Sequence, residues 1–183
     1  MSERLEERHA TFKRVEEIYQ RFYEALQLDG MLPYRSTESG MWAVSDAREV
    51  YHAFSHFQLG QYHHMADLGS GDGKVALIGS LFTRVTGYET DEVLYNKSVE
   101  IRDELGLSNA SFQLRDYLLA DLSSYDILYL YPDKPFYDLE EKLRSVWQGH
   151  LIVNGPHFPP RHLIKLTEAP PSVGKFVLYE SSC

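Results

Sequence analysis

Apolar positions along the chain follow two rhythms, and the change between them falls near residue 63. Before it, Leu5, Phe12, Val15, Tyr19, Phe22 and Leu26 recur at intervals of three, four and seven, the spacing that lines one face of an α-helix. Charges of both signs fill the other face, and Asp29-Gly30 follows as a stop signal. The spacing predicts one amphipathic helix from Glu3 to Leu28 that packs on the domain, with docking of a partner as the alternative. Pro33, Ser36, Ser39 and Gly40 then mark a loop. Ser45 stands where it would cap a helix from Asp46 to Phe57, with Glu49 near the end of the first turn.

From Met65 the pattern alternates between strand and helix. "HMADLG" and "RVTGYE" are short strands, each followed by a helical stretch, "GKVALIGSLF" and "DEVLYNKSVEIRDEL". "ASFQLRD" alternates as an edge strand does, whereas "YDILYLY" is apolar throughout, the mark of a strand buried on both faces. "FYDLEEKLRSVW" is a helix and "HLIVNG" another buried strand. Such alternation implies a parallel sheet with right-handed crossovers and helices on both faces. The prolines of "PHFPPRH" leave no room for a further crossover helix, and "HLIKLTE" and "KFVLYES" flank "APPSVG" as an antiparallel hairpin. The predicted fold class is α/β. It is a three-layer, Rossmann-like sandwich with a mostly parallel seven-strand sheet, a closing antiparallel hairpin and an N-terminal helical extension. No linker divides the chain, so 1–183 reads as one domain, with 1–58 as extension and covering segment and 63–183 as the α/β core.

Composition narrows the surroundings. The 183 residues carry a formal net charge of −9, which argues against a broad nucleic-acid footprint and leaves room for a local basic groove. The lone Cys183 precludes an intrachain disulfide or a Cys-based zinc site. The charged N-terminus has no apolar core of a signal peptide, and no apolar run approaches the roughly 20 residues that span a bilayer. A cytoplasmic protein with no membrane partner is expected. His52 and His56 have i, i+4 spacing, but no HExxH arrangement surrounds them. They read as a packed or solvated helix face, and no metal is expected.

Candidate chemistry sits after the first core strand, in Gly69-Ser70-Gly71-Asp72-Gly73. A dinucleotide loop, GxGxxG, needs its third glycine where Lys74 stands, and no P-loop GK[ST] follows. The acids Asp67 and Asp72 would also repel a pyrophosphate. An acid at the end of the first strand suits a ligand bearing an ammonium group. Glu89, at the end of the second strand, can accept from the hydroxyls of a ribose. Asp116, at the end of the third, can accept from an adenine amino group, with Tyr117 packing on the ring. Open parallel sheets bind ligands at this edge.

Taken in order, "ADLGSGDGK", "VTGYE", "QLRDY" and "YDILYLYPDKPF" resemble the class I, seven-strand S-adenosylmethionine-dependent methyltransferases over roughly Met65 to Ser181. "DLGSGDG" and the reduced connection after the fifth strand also look like the small protein-lysine methyltransferases of that class. The resemblance implies S-adenosyl-L-methionine as cofactor. Asp67 would then approach its methionine amino group, and the loop with Gly69, Ser70, Gly71 and Gly73 would cradle its amino-acid part and ribose. Glu89 would take the ribose and Asp116 the adenine, with Thr90 and Tyr117 also among the cofactor-binding residues. Met41 to Ser45, with Trp42, would cover it. Tyr131-Pro132-Asp133 would border the transferable methyl, with Tyr131 touching cofactor and acceptor, and Asp133 aligning the acceptor or taking its proton. The alternative for Asp133 is a turn residue beside proline. His157, after the fifth strand, falls at the same edge. The Asn/Asp-Pro-Pro-Tyr/Phe motif of enzymes that methylate bases or glutamine is absent, since Tyr131-Pro132-Asp133-Lys134-Pro135-Phe136 stands there. The expected activity is methyl transfer to a nucleophilic acceptor, a protein amino group by preference, with a small molecule or RNA next. A non-catalytic cofactor-binding module and a nicotinamide oxidoreductase are the competing classes; Lys74 disfavours the second.

Overall fold

The computed structural model describes residues 2–37 and 40–182; Ser39 of the expected loop and Cys183 lie outside them. Helix α1 runs Ser2–Leu28 and buries Phe12, Val15, Ile18 and Tyr19. Leu5, first in the predicted stripe, stays 49% exposed, so the packed face begins about three turns in. The segment expected to be all loop contains two short strands, β1 (Tyr34–Ser36) and β2 (Met41–Ala43), paired antiparallel. Three-residue strands are too short to show an alternating pattern. Arg35 and Trp42 face each other across the pair.

Helix α2 (Ala47–His56) is capped one residue later than expected. Asp46, not Ser45, takes the cap, and its Oδ1 accepts from the Arg48 and Glu49 amides at 2.8 and 3.0 Å. Asp46 has the extended backbone that a cap requires, while Ser45 is buried. His52 and His56 lie on the exposed face of α2.

The core alternates as predicted: β3 (His64–Leu68), α3 (Lys74–Gly79), β4 (Arg84–Glu89), α4 (Glu92–Leu105), β5 (Ala110–Leu114), β6 (Ile127–Leu130), α5 (Tyr137–Val146) and β7 (His150–Asn154). The last strands are β8 (Leu163–Glu168) and β9 (Phe176–Ser181). The seven-stranded sheet has the order β5-β4-β3-β6-β7-β9-β8. Only β9 is reversed: it pairs antiparallel with β7 on one side and β8 on the other.

Side chains of the central strands alternate between two cores. Met65, Ile127, Tyr129 and Ile152 face the layer of α1 to α4, whereas Ala66, Leu128, Leu130 and Leu151 face α5. Both faces are buried, and for that reason these strands read as unbroken apolar runs. The parallel strands β3 to β6 end together, and the glycine loop, Glu89 and the segment after β6 meet at that end. Among the described residues no helix is long and apolar enough to cross a membrane.

Candidate active site

The chain leaves β3 through three glycines with positive φ: Gly69 at 79°, Gly71 at 57° and Gly73 at 84°. Side chains rarely adopt this left-handed region, which explains the glycine spacing. Gly69 opens on free space, since a Cβ there would meet nothing within 4 Å. Gly71 lies under Trp42: a Cβ would come within 2.7 Å of the indole Cδ1. Gly73 is turned inward and would meet Ser98 and Phe112 at 2.5 and 2.8 Å. Its place is the packing of helix on sheet.

The loop is held from both sides. Glu89, at the end of β4, accepts from the Gly71 amide at 2.7 Å through Oε2. Its Oε1 accepts from the amides of Thr90 and Asp91, both at 2.8 Å. These three bonds use about three of the four acceptor positions of a carboxylate and leave about one for a ligand. From α1, Tyr19 donates to the Asp72 carbonyl at 2.7 Å, and Tyr23 donates to the Asp72 carboxylate at 2.5 Å. The Lys74 ammonium lies 4.7 Å from the centre of the Tyr23 ring, and burial lowers its pKa. Burial pushes Asp72 up, opposed by Lys74 and by the Tyr23 hydroxyl.

Asp67 is the least satisfied group of the site. It is 2% exposed, and its Oδ2 has no hydrogen-bond partner, nor has the Oγ of Ser70. Burial, and then the Glu89 carboxylate, push its pKa up to about 8. An unpaired buried oxygen is costly. A donor, above all a cation, supplied by a ligand would remove the cost.

A cleft of about 650 Å³ opens above these groups, within the range of cofactor pockets. Trp42, Asp67, Gly69, Ser70, Gly71, Glu89, Thr90, Asp116, Tyr117, Tyr131, Asp133 and His157 all line it. The structure thus brings every sequence-derived candidate except Gly73 to one cavity. Asp116 caps a short turn, Tyr117–Leu119, and accepts from the Leu118 amide at 2.8 Å. Burial raises the pKa of Tyr117, and the Asp116, Asp133 and Asp138 carboxylates raise it further. Tyr131 is half exposed. Asp133 accepts from the Met41 amide at 2.8 Å. Asp138, in the first turn of α5, and Phe158, after β7, also line the cleft and escaped the sequence reading. The only signal for Asp138 was an acid in the first helical turn, the ordinary place for one.

No family model and no curated protein sequence matches the chain. Solved structures do. A methyltransferase from Geobacter sulfurreducens superposes with a TM-score of 0.62 at 16% identity, covering 76% of this chain and 82% of that one. An RNA methyltransferase from Salinibacter ruber, solved with S-adenosyl-L-homocysteine, gives 0.57 at 20% identity over 75% and 92%. The fold is that of the class I methyltransferases. An rRNA methylase from Streptococcus thermophilus gives 0.51 at 13% identity over 71% and 95%. At these identities the likeness is one of fold. The narrower resemblance to protein-lysine methyltransferases finds no support among these three, two of which are named for RNA.

Proposed function

We propose that this chain is an S-adenosylmethionine-dependent methyltransferase whose acceptor is an amine, on a protein by preference. The observation that carries the cofactor is Asp67, a buried carboxyl with an unpaired oxygen beside a glycine loop. The residues fit such a ligand. Asp67 and the free Ser70 hydroxyl offer partners to its amino-acid part, and Gly69 leaves room for its approach. Glu89 retains about one acceptor position for a ribose hydroxyl. Asp116 and Tyr117 stand at the next strand end for the adenine. The expectation that Glu89 takes both ribose hydroxyls is narrowed here, since the loop amides already occupy most of it.

Bound there, the sulfonium supplies an electrophilic methyl and a neutral leaving group. The chain's task is then positioning of the nucleophile. Tyr131 faces the acceptor side of the cleft, and its half-exposed ring offers a surface for an aliphatic or ammonium group. Asp133 borders the same side, with one oxygen engaged by Met41. A lysine-type amine arrives protonated and must lose a proton to solvent before attack. Asp138, in the first turn of α5, lines the same cleft, and it is our candidate to orient the ammonium.

The mouth supports an amine over RNA. Asp116, Asp133 and Asp138 all act on the Tyr117 hydroxyl, and the chain carries −9 overall. Arg115 and Lys134 stand against these three acids in the lining of the cleft, so it is chiefly the net charge that disfavours a polyanion. The RNA named for two of the structural neighbours is the competing acceptor. Calorimetric titration with S-adenosylmethionine tests the cofactor, and transfer of a labelled methyl to lysine peptides and to RNA tests the acceptor. Binding with label on peptides is expected. Label on RNA alone sinks the amine, and no binding to the folded chain sinks the cofactor.

A further inference from the structure

Strands β1 and β2 touch three strand ends in succession. At one end the Arg35 guanidinium bridges both carboxylate oxygens of Asp91 at 2.8 Å, just after β4. In the middle the Trp42 indole lies on Gly71, just after β3. At the other end the Met41 amide donates to Asp133 Oδ2 at 2.8 Å, just after β6. The sheet order places β4 and β6 on either side of β3, so the two anchors stand on opposite banks of the cleft. The paired strands form a strap between them. One face carries the buried Trp42 and, opposite it, Arg35, which is exposed and reaches to Asp91; on the other face Tyr34 and Met41 are more than half exposed.

Gly40 makes the second anchor possible. A Cβ at that position would fall 2.6 Å from Asp133 Oδ2, inside contact distance. The chain therefore approaches the carboxylate as closely as only glycine allows. Asp91 is tied to the ligand side of the cleft as well, because its own amide donates to Glu89.

We propose that Asp133 is a positioning residue, a latch that fastens the strap and its Trp42 over the cofactor, and not the base that takes a proton from the acceptor. The inference rests on the cofactor reading above for the identity of what is retained. The latch itself is a contact of this chain and is testable without any ligand. An asparagine at 133 keeps an oxygen that can accept from the Met41 amide, but it cannot act as a base. An alanine can do neither. The two substitutions therefore separate the roles.

Amide hydrogen exchange across Met41–Ala43 is followed in the unliganded wild type, Asp133→Ala, Asp133→Asn and Gly40→Ala. S-adenosylhomocysteine dissociation is then followed by tryptophan fluorescence in stopped flow, Trp42 being the indole that lines the cleft. The latch predicts exchange about tenfold faster in Asp133→Ala and Gly40→Ala, slow exchange restored in Asp133→Asn, and ligand dissociation changing in the same order. Equal exchange in all four chains overturns the latch. Turnover lost equally in Asp133→Asn and Asp133→Ala, with dissociation unchanged, returns Asp133 to the role of base and also overturns it. Fast exchange confined to the Ala variants, in a wild type that binds no S-adenosylhomocysteine, supports the latch and removes the cofactor reading instead.

Discussion

Asp67 holds its proton in the unliganded chain at neutral pH, because burial and Glu89 push it up to about 8. The sign follows from linkage. A carboxyl whose folded pKa is raised contributes stability that is present below its unfolded pKa, near 4, and lost as pH rises towards 8. Asp67→Asn cannot ionise, so its advantage over the wild type is expected to be small at pH 4 and to reach about 5 kcal/mol by pH 8, in urea unfolding. A bound ammonium reverses the preference and expels the proton. Cofactor titrations at pH 7 in buffers of different ionisation enthalpy are expected to show release approaching one proton, absent in Asp67→Asn. Release that is identical in the two chains would place the coupled proton elsewhere. At this scale much was legible beforehand: acids at successive strand ends and glycines in a turn are local patterns. The orphaned oxygen of Asp67 was not, because it depends on what fails to approach from elsewhere in the chain.

At the scale of elements, α1 is part of the site's floor. Tyr23 donates to a buried Asp72 carboxylate in the glycine loop, and Tyr19 to the carbonyl of the same residue. Tyr23→Phe leaves a buried acceptor without its donor, at a cost of about 1–3 kcal/mol. Chemical unfolding is expected to show that loss, together with weaker cofactor binding; a loss of stability with affinity intact would confine α1 to packing. The periodicity of α1 and the run of core strands were readable because helix and strand each repeat over many residues. Strands β1 and β2 were not. Each is three residues long, and what fixes them, Arg35 on Asp91 and Met41 on Asp133, lies 56 and 92 positions away. The misplaced cap of α2 has a similar origin, since Ser45 and Asp46 are both cap residues and only the backbone angles choose between them.

For the whole molecule, the formal net charge of −9 and the carboxylates at the cleft bear on which acceptors approach. If the acceptor is a basic peptide, raising salt from 50 to 500 mM is expected to raise its KM several-fold, since the Debye length falls below about 5 Å over that range, while cofactor affinity in the buried part of the cleft changes little. A salt-independent KM would show that recognition does not use the rim. Cofactor at about 100 times its Kd adds about 2.7 kcal/mol of stability, a rise in Tm of about 5–10 °C for a chain of this size, and Glu89→Ala is expected to lose most of that rise by freeing the Gly71 amide. The sheet order carries a further consequence, for assembly. Strand β9 lies between β7 and β8, so β8 finds no neighbour until a strand made after it has slotted in. Until then Ile164 and Leu166 sit on an unpaired segment, and the flank of β7 stays open to other chains. The sheet is therefore finished out of order, its rim waiting for its interior, and the interval before β9 arrives is when a newborn molecule is most at risk of joining another.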